Sequence, residues 1–128
     1  MKGQASLEYL ALFLVALSLL SVSVLALASI KDSSGDELRL LAFRSSATSL
    51  AYAMDEACAL GDGNRRAVSV RTPLSLEMRK AEDGWLARFS AEGTSMVRPL
   101  PCRAQDTDFA AGVVYVENEK GEIIFRGQ

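Results

Sequence analysis

The chain has 128 residues, 49% of them hydrophobic, with 14 basic and 16 acidic side chains and a net charge of −2. It contains no histidine, which removes the commonest general base and metal ligand, and its scattered, nearly balanced charge offers no basic surface for nucleic acid. Two cysteines, Cys58 and Cys102, make an even set compatible with one disulfide in an oxidising compartment.

The apolar excess behind a mean hydropathy of +0.14 is gathered at the start of the chain. Residues 9–30 carry no charge and consist almost wholly of Leu, Val, Ala, Ser and Ile. As a helix this run is roughly 33 Å long, close to the hydrocarbon thickness of a bilayer, where the backbone must satisfy its own hydrogen bonds. A secretory signal is the competing reading, because Ala26-Leu27-Ala28 has the small-x-small form of a cleavage site. Against it, the positive region is only Lys2 and the amine, and the apolar core is too long. Lys31 and Arg39 balance Lys2 across the run, so charge alone sets the topology weakly. Glu8 stands at the head of the run, where desolvating a carboxylate is costly unless a cation meets it. The plain reading of Glu8 is an interfacial residue reaching for the headgroups.

The stretch Lys2-Gly3-Gln4-Ala5-Ser6-Leu7-Glu8-Tyr9-Leu10-Ala11-Leu12 resembles the class III signal peptide of archaeal type IV pilin-like proteins. That family's pattern, Q-x-S-x-E-x-x-x-L, is met by Gln4, Ser6, Glu8 and Leu12, with Gly3 directly before it and an apolar run after it. The resemblance implies cleavage between Gly3 and Gln4 by a prepilin-peptidase-like membrane protease. It implies loss of residues 1–3 as a leader and retention of residues 4–30 as a transmembrane and filament-core helix. Glu8 would then associate with the new amine of Gln4, commonly that of a neighbouring subunit, which would offset its burial. The implied partners are other pilin subunits, a pilus assembly platform and the membrane, with no nucleic acid and no cofactor. The implied location is the cell membrane, single-pass with the C-terminal domain outside, and then an extracellular filament.

Beyond the apolar run, Lys31-Asp32-Ser33-Ser34-Gly35-Asp36-Glu37 leaves two options. Ser34 or Asp36 could cap a new helix, or one helix could pass through with a kink at Ser34-Gly35, the reading preferred here. Leu40, Phe43, Ala47, Leu50, Met54 and Ala57 then recur three and four apart, the stripe of a helix over residues 31–60 with one buried face. Gly61-Asp62-Gly63-Asn64 stops it.

Residues 61–128 change from a period of 3.6 to a period of 2. Val68 and Val70 alternate with Ser69 and Arg71, and Leu74, Leu76 and Met78 with Ser75, Glu77 and Arg79, interrupted by Pro73. Residues 85–89 and 95–98 return as strands, and residues 112–116 and 122–125 form a hairpin about Asn118-Glu119-Lys120-Gly121. Pro99-Leu100-Pro101-Cys102 reads as an ordered loop and residues 105–111 as irregular. Trp85, Phe89, Tyr115 and Phe125 read as core. The expected fold class is α+β: a long N-terminal membrane or filament helix that continues, with a kink, into an amphipathic helix packed on an antiparallel sheet of four to six strands, the lollipop of type IV pilins.

Nothing in this pattern supports catalysis. Asp55-Glu56, Glu82-Asp83 and Asp106 with Asp108 read as solvated charge on helix, turn and loop. The function that the motif resemblance implies is a structural subunit, major or minor, of a pilus-like filament. The alternative is a non-polymerising, N-terminally anchored surface domain that binds a partner. Cys58 and Cys102 are expected to bond to each other, against the alternative of two separately buried thiols.

Overall fold

The computed structural model describes the backbone of residues 2–127 and the side chains of residues 6–127. One helix, α1 (Lys2–Leu60), is followed by eight strands: β1 (Arg65–Val70), β2 (Leu74–Ala81), β3 (Gly84–Ala91), β4 (Thr94–Leu100), β5 (Arg103–Ala104), β6 (Thr107–Phe109), β7 (Gly112–Glu119) and β8 (Glu122–Arg126). The class is α+β, with the helix first and the strands after it. The chain divides into two compact units, Met1–Leu38 and Arg39–Gln128.

The first unit is helix alone. Its α-helical bonding runs unbroken through residues 31–37, so Ser34 and Asp36 lie inside the helix and cap nothing. Three serines in the middle of the apolar run are satisfied within the helix. Ser18, Ser21 and Ser23 donate their hydroxyls to the carbonyls of Leu14, Leu17 and Leu19 at 2.8, 2.9 and 2.9 Å.

In the second unit the buried helix face is the expected stripe. Phe43, Ala47, Leu50, Met54 and Ala57 are buried, joined by Ala51 and Ala53, while Leu40 is half-buried. Ser46, off that stripe, is buried too: its small side chain fits, and Oγ accepts the Arg71 N–H at 2.9 Å. From the sheet, Val68, Val70, Leu74, Leu76, Ala87, Phe89, Leu100, Phe109, Val114, Val116 and Ile123 complete the core. Each large apolar side chain buried in this way contributes about 1.5–3 kcal/mol.

The strands form two four-stranded ladders, in the orders β1-β7-β8-β5 and β4-β3-β2-β6. Nearly all neighbours are antiparallel; β5 alone runs parallel, to β8. The two ladders meet in the stretch from Arg103 to Phe109. Its first part pairs with β8, prolonged by the Gln105 N–H donating to the Ile123 carbonyl at 3.0 Å, and its second part pairs with β2. Where the chain crosses over, the Met78 N–H loses its strand partner and bonds to Asp106 Oδ1 instead, at 2.7 Å. Phe109 and Phe125 meet edge to face across this seam, 4.8 Å between centroids. Strand order is thus β1-β7-β8-(β5, β6)-β2-β3-β4, a curved surface with two open edges, β1 and β4.

Residues 39–60 of α1 lie between those edges. Arg39 faces Glu92 of the β3–β4 turn at 3.8 Å, Ser46 meets the end of β1, Glu56 is ion-paired with Arg66 at its start, and Cys58 is bonded to Cys102 just past β4. The helix therefore runs antiparallel to β1 and alongside β4 in the same direction.

Three expectations need correction. The strands number eight, not four to six, because the short segments β5 and β6 lack any alternating pattern. Pro99 and Leu100 belong to a strand and not a loop. The Glu92-Gly93 and Lys120-Gly121 turns have φ of 42° and 82°, and of 54° and 86°, the type I′ geometry of two-residue hairpins. The bonded pair Ala91–Thr94 closes the first, so the backbone groups of Ser95, Val97 and Pro99 point to the open side of β4. Proline costs no ladder bond there. Finally, Trp85 and Tyr115 are half-buried, not core. The Arg103 guanidinium lies 5.5 Å from the Trp85 ring centroid, and that of Arg65 lies 4.0 Å from the Tyr115 centroid.

Candidate functional site

The candidate site is the first part of α1. Residues from Ser6 to Ile30 are exposed along the whole helix, and an 18-residue window reaches a mean hydropathy of 2.7 with none of it buried. By length and composition this segment can cross a membrane. An apolar surface of that extent is not left to water, and it marks lipid or other protein as its surroundings.

Glu8 is the carboxylate of this surface. Spacings of three, four and seven place Glu8, Ala11, Leu12 and Val15 on one helix face, where they border a shallow apolar recess. Of the motif residues, Glu8 and Leu12 therefore share a face, whereas Ser6, two positions before Glu8, falls nearly opposite. No ion pair reaches Glu8 among the described residues. Gly3 and Gln4, the expected cleavage pair, belong to α1 by backbone, but their side chains lie outside the described residues.

Cys58 and Cys102 form a disulfide across 44 positions, with Cα atoms 6.0 Å apart. Cys58 is in the last turn of α1, and Cys102 directly follows Pro101 on the exit from β4. The bond ties the helix end to the strand end.

A second fastening at the helix end escaped the sequence reading. Asn118, 3% exposed, donates Nδ2–H to the Ala57 carbonyl at 2.9 Å and accepts the Gly121 N–H on Oδ1 at 3.0 Å. Asp62 accepts the Lys120 N–H at 2.9 Å, and Asn64 donates to the Leu60 and Gly61 carbonyls at 2.9 and 3.1 Å. Of the open carbonyls at the end of α1, that of Ala57 thus finds a partner on β7 and that of Leu60 finds one in the Asn64 side chain, as helix ends require. Read as a turn residue, Asn118 gave no sign of this. Its signal is an asparagine at an inward-facing position of a strand, in register with Val114 and Val116.

The acidic pairs hold no common site. Asp55 and the Glu82-Asp83 turn are exposed, Glu56 is paired with Arg66, and Asp106 serves the strand crossing. Among the described residues no three His, Cys, Asp or Glu side chains are grouped to hold a metal ion. Comparison with known protein families, with curated proteins and with solved structures returned no match.

Proposed function

We propose that the chain is a pilin-like structural subunit: anchored in the membrane by the first part of α1, trimmed between Gly3 and Gln4, and polymerised through that helix into an extracellular filament. The observation that carries the reading is the pairing of a wholly exposed apolar helix with a carboxylate near its start, inside the Gln4–Ser6–Glu8–Leu12 pattern. In a bundle of such helices or in lipid, the hydroxyls of Ser18, Ser21 and Ser23 are already satisfied, and Glu8 is the charged group in need of a partner. The amine of Gln4, freed by processing, supplies a positive charge of the right sign. Cleavage thereby becomes the switch for assembly. The Cys58–Cys102 bond supports placing the second unit on the oxidising, outer side of the membrane.

Mass spectrometry of the native N-terminus tests the reading. The expected mature chain starts at Gln4 and retains residues 5–30. A mature start near Ser29, after Ala26-Leu27-Ala28, would make the segment a removed secretory signal and end the filament reading.

A further inference from the structure

Beside the second half of α1 the sheet has an edge that its own chain leaves unused. Gly63, with φ of 85°, donates its N–H to the Asn118 carbonyl, while the Asn118 N–H bonds to the Asn64 carbonyl, at 2.9 and 3.1 Å. This is a G1 bulge, in which glycine supplies the left-handed residue. It sets the phase of the β1–β7 ladder: Arg66, Val68 and Val70 bond to β7, and the backbone groups of Ala67 and Ser69 point the other way. Among the described residues those groups have no partner, and both residues are exposed. One position further on, the same outward phase puts the Arg71 N–H on Ser46 Oγ. The helix therefore runs beside this edge, pinned at one end by Ser46 and at the other by the Glu56–Arg66 ion pair. Between the pins lies an open groove with Ser45, Ser49 and Tyr52 on its helix wall and Ala67 and Ser69 on its strand wall.

The geometry points to an extended peptide segment of a different protein, added as a strand to β1 in this groove, with an acidic side chain set against Arg71. Strand addition of this kind takes its affinity from main-chain bonds and its selectivity from flanking side chains. Charge selects the partner. Arg66 is already neutralised by Glu56, whereas Arg71 is exposed and has no ion pair among the described residues. A second copy of this chain is a poor occupant. β1 against β1, antiparallel about Val68, would set Arg65 opposite Arg71 of the copy, and the β4 edge offers Arg98 and the donorless Pro99. The open β4 edge is blunted by its proline, whereas the outward backbone groups of Ala67 and Ser69 on β1 keep their donors. This inference stands whether or not the chain polymerises.

The test uses the full chain in detergent micelles and a capped pentapeptide alternating valine and glutamate. Binding is expected to slow hydrogen exchange of the Ala67 and Ser69 amides, with little change at Ser95 and Val97 on β4. At low salt the lysine counterpart should bind about fivefold more weakly, a difference that Arg71→Gln should erase. N-methylating one of the two alternate sets of peptide nitrogens should weaken binding about tenfold, because two main-chain bonds are lost. That arm leaves the protein unaltered, so it stands even if an Ala67→Pro variant fails to fold. Absence of protection at Ala67 and Ser69, equal binding of acidic and basic peptides, or indifference to both methylated sets would each overturn the proposal.

Discussion

The two halves of α1 use one backbone for opposite purposes. Leu20 is 63% exposed and Leu50 is 0% exposed, yet both are leucines in the same continuous helix. Over residues 9–30 every face is apolar, so this part of the helix has no orientation of its own and no partner among the described residues of the chain. In the second unit apolar residues return at threes and fours, and one face is consumed by the curved sheet. A helix that is apolar all round waits for a solvent, whereas one that is apolar on a stripe finds its partner within the chain.

The contrast can be broken most forcefully at the disulfide. Replacing Cys58 and Cys102 by serine opens a loop of 44 positions, expected to remove roughly 4 kcal/mol from the second unit in the chain-entropy account, with no effect on membrane retention. Denaturant unfolding of the full chain in micelles, followed by Trp85 fluorescence, measures the first; membrane fractionation measures the second. Next in size is a matched pair of truncations. Leu50→Ala should cost about 3 kcal/mol by the same unfolding assay, and Leu20→Ala close to nothing. Equal losses would mean that the first half also packs within its own chain.

Asn118→Ala probes the joint between helix end and sheet. It leaves the Ala57 carbonyl with only the Gly61 N–H, at 3.2 Å, and removes one buried and one part-buried hydrogen bond, an expected loss of about 2 kcal/mol. Hydrogen exchange should report it as earlier opening of the last turns of α1. The smallest folding effect is expected at Glu8→Leu, within about 0.5 kcal/mol for the second unit, because Glu8 belongs to the first unit and not to the buried core of the second. The same variant should stay processed and membrane-bound while filament yield, counted by electron microscopy, falls sharply. Filaments in normal number would remove the charge-pairing role given to Glu8.

Much of the second unit was legible before any coordinates. Phe43, Ala47, Leu50, Met54 and Ala57 were readable as a face because helix periodicity is local. Val68 with Val70, and Leu74 with Leu76, were readable because a half-buried strand must alternate. Arg103-Ala104 and Thr107-Asp108-Phe109 were not, since two or three residues are too short to show a period. Trp85 and Tyr115 misled for a different reason. Alternation gives the face a ring occupies, but not whether an arginine from another strand covers it. Of the candidate site, the motif residues were all named in advance. The shared face of Glu8, Ala11, Leu12 and Val15 follows from helix geometry alone.

Sequence by itself determined the apolar run, the single helix class of the first sixty positions, the stop at Gly61 and the alternation that makes the rest a sheet. Each of these depends on residues within a few positions of one another, where sterics and periodicity decide. Tertiary structure alone decided which edges stay open, that Asp106 stands in for a missing strand partner, and that Ser46 and Asn118 are buried fasteners. Those outcomes join residues far apart along the chain. No local pattern encodes them, because each depends on where the curved sheet brings its ends to rest against the helix.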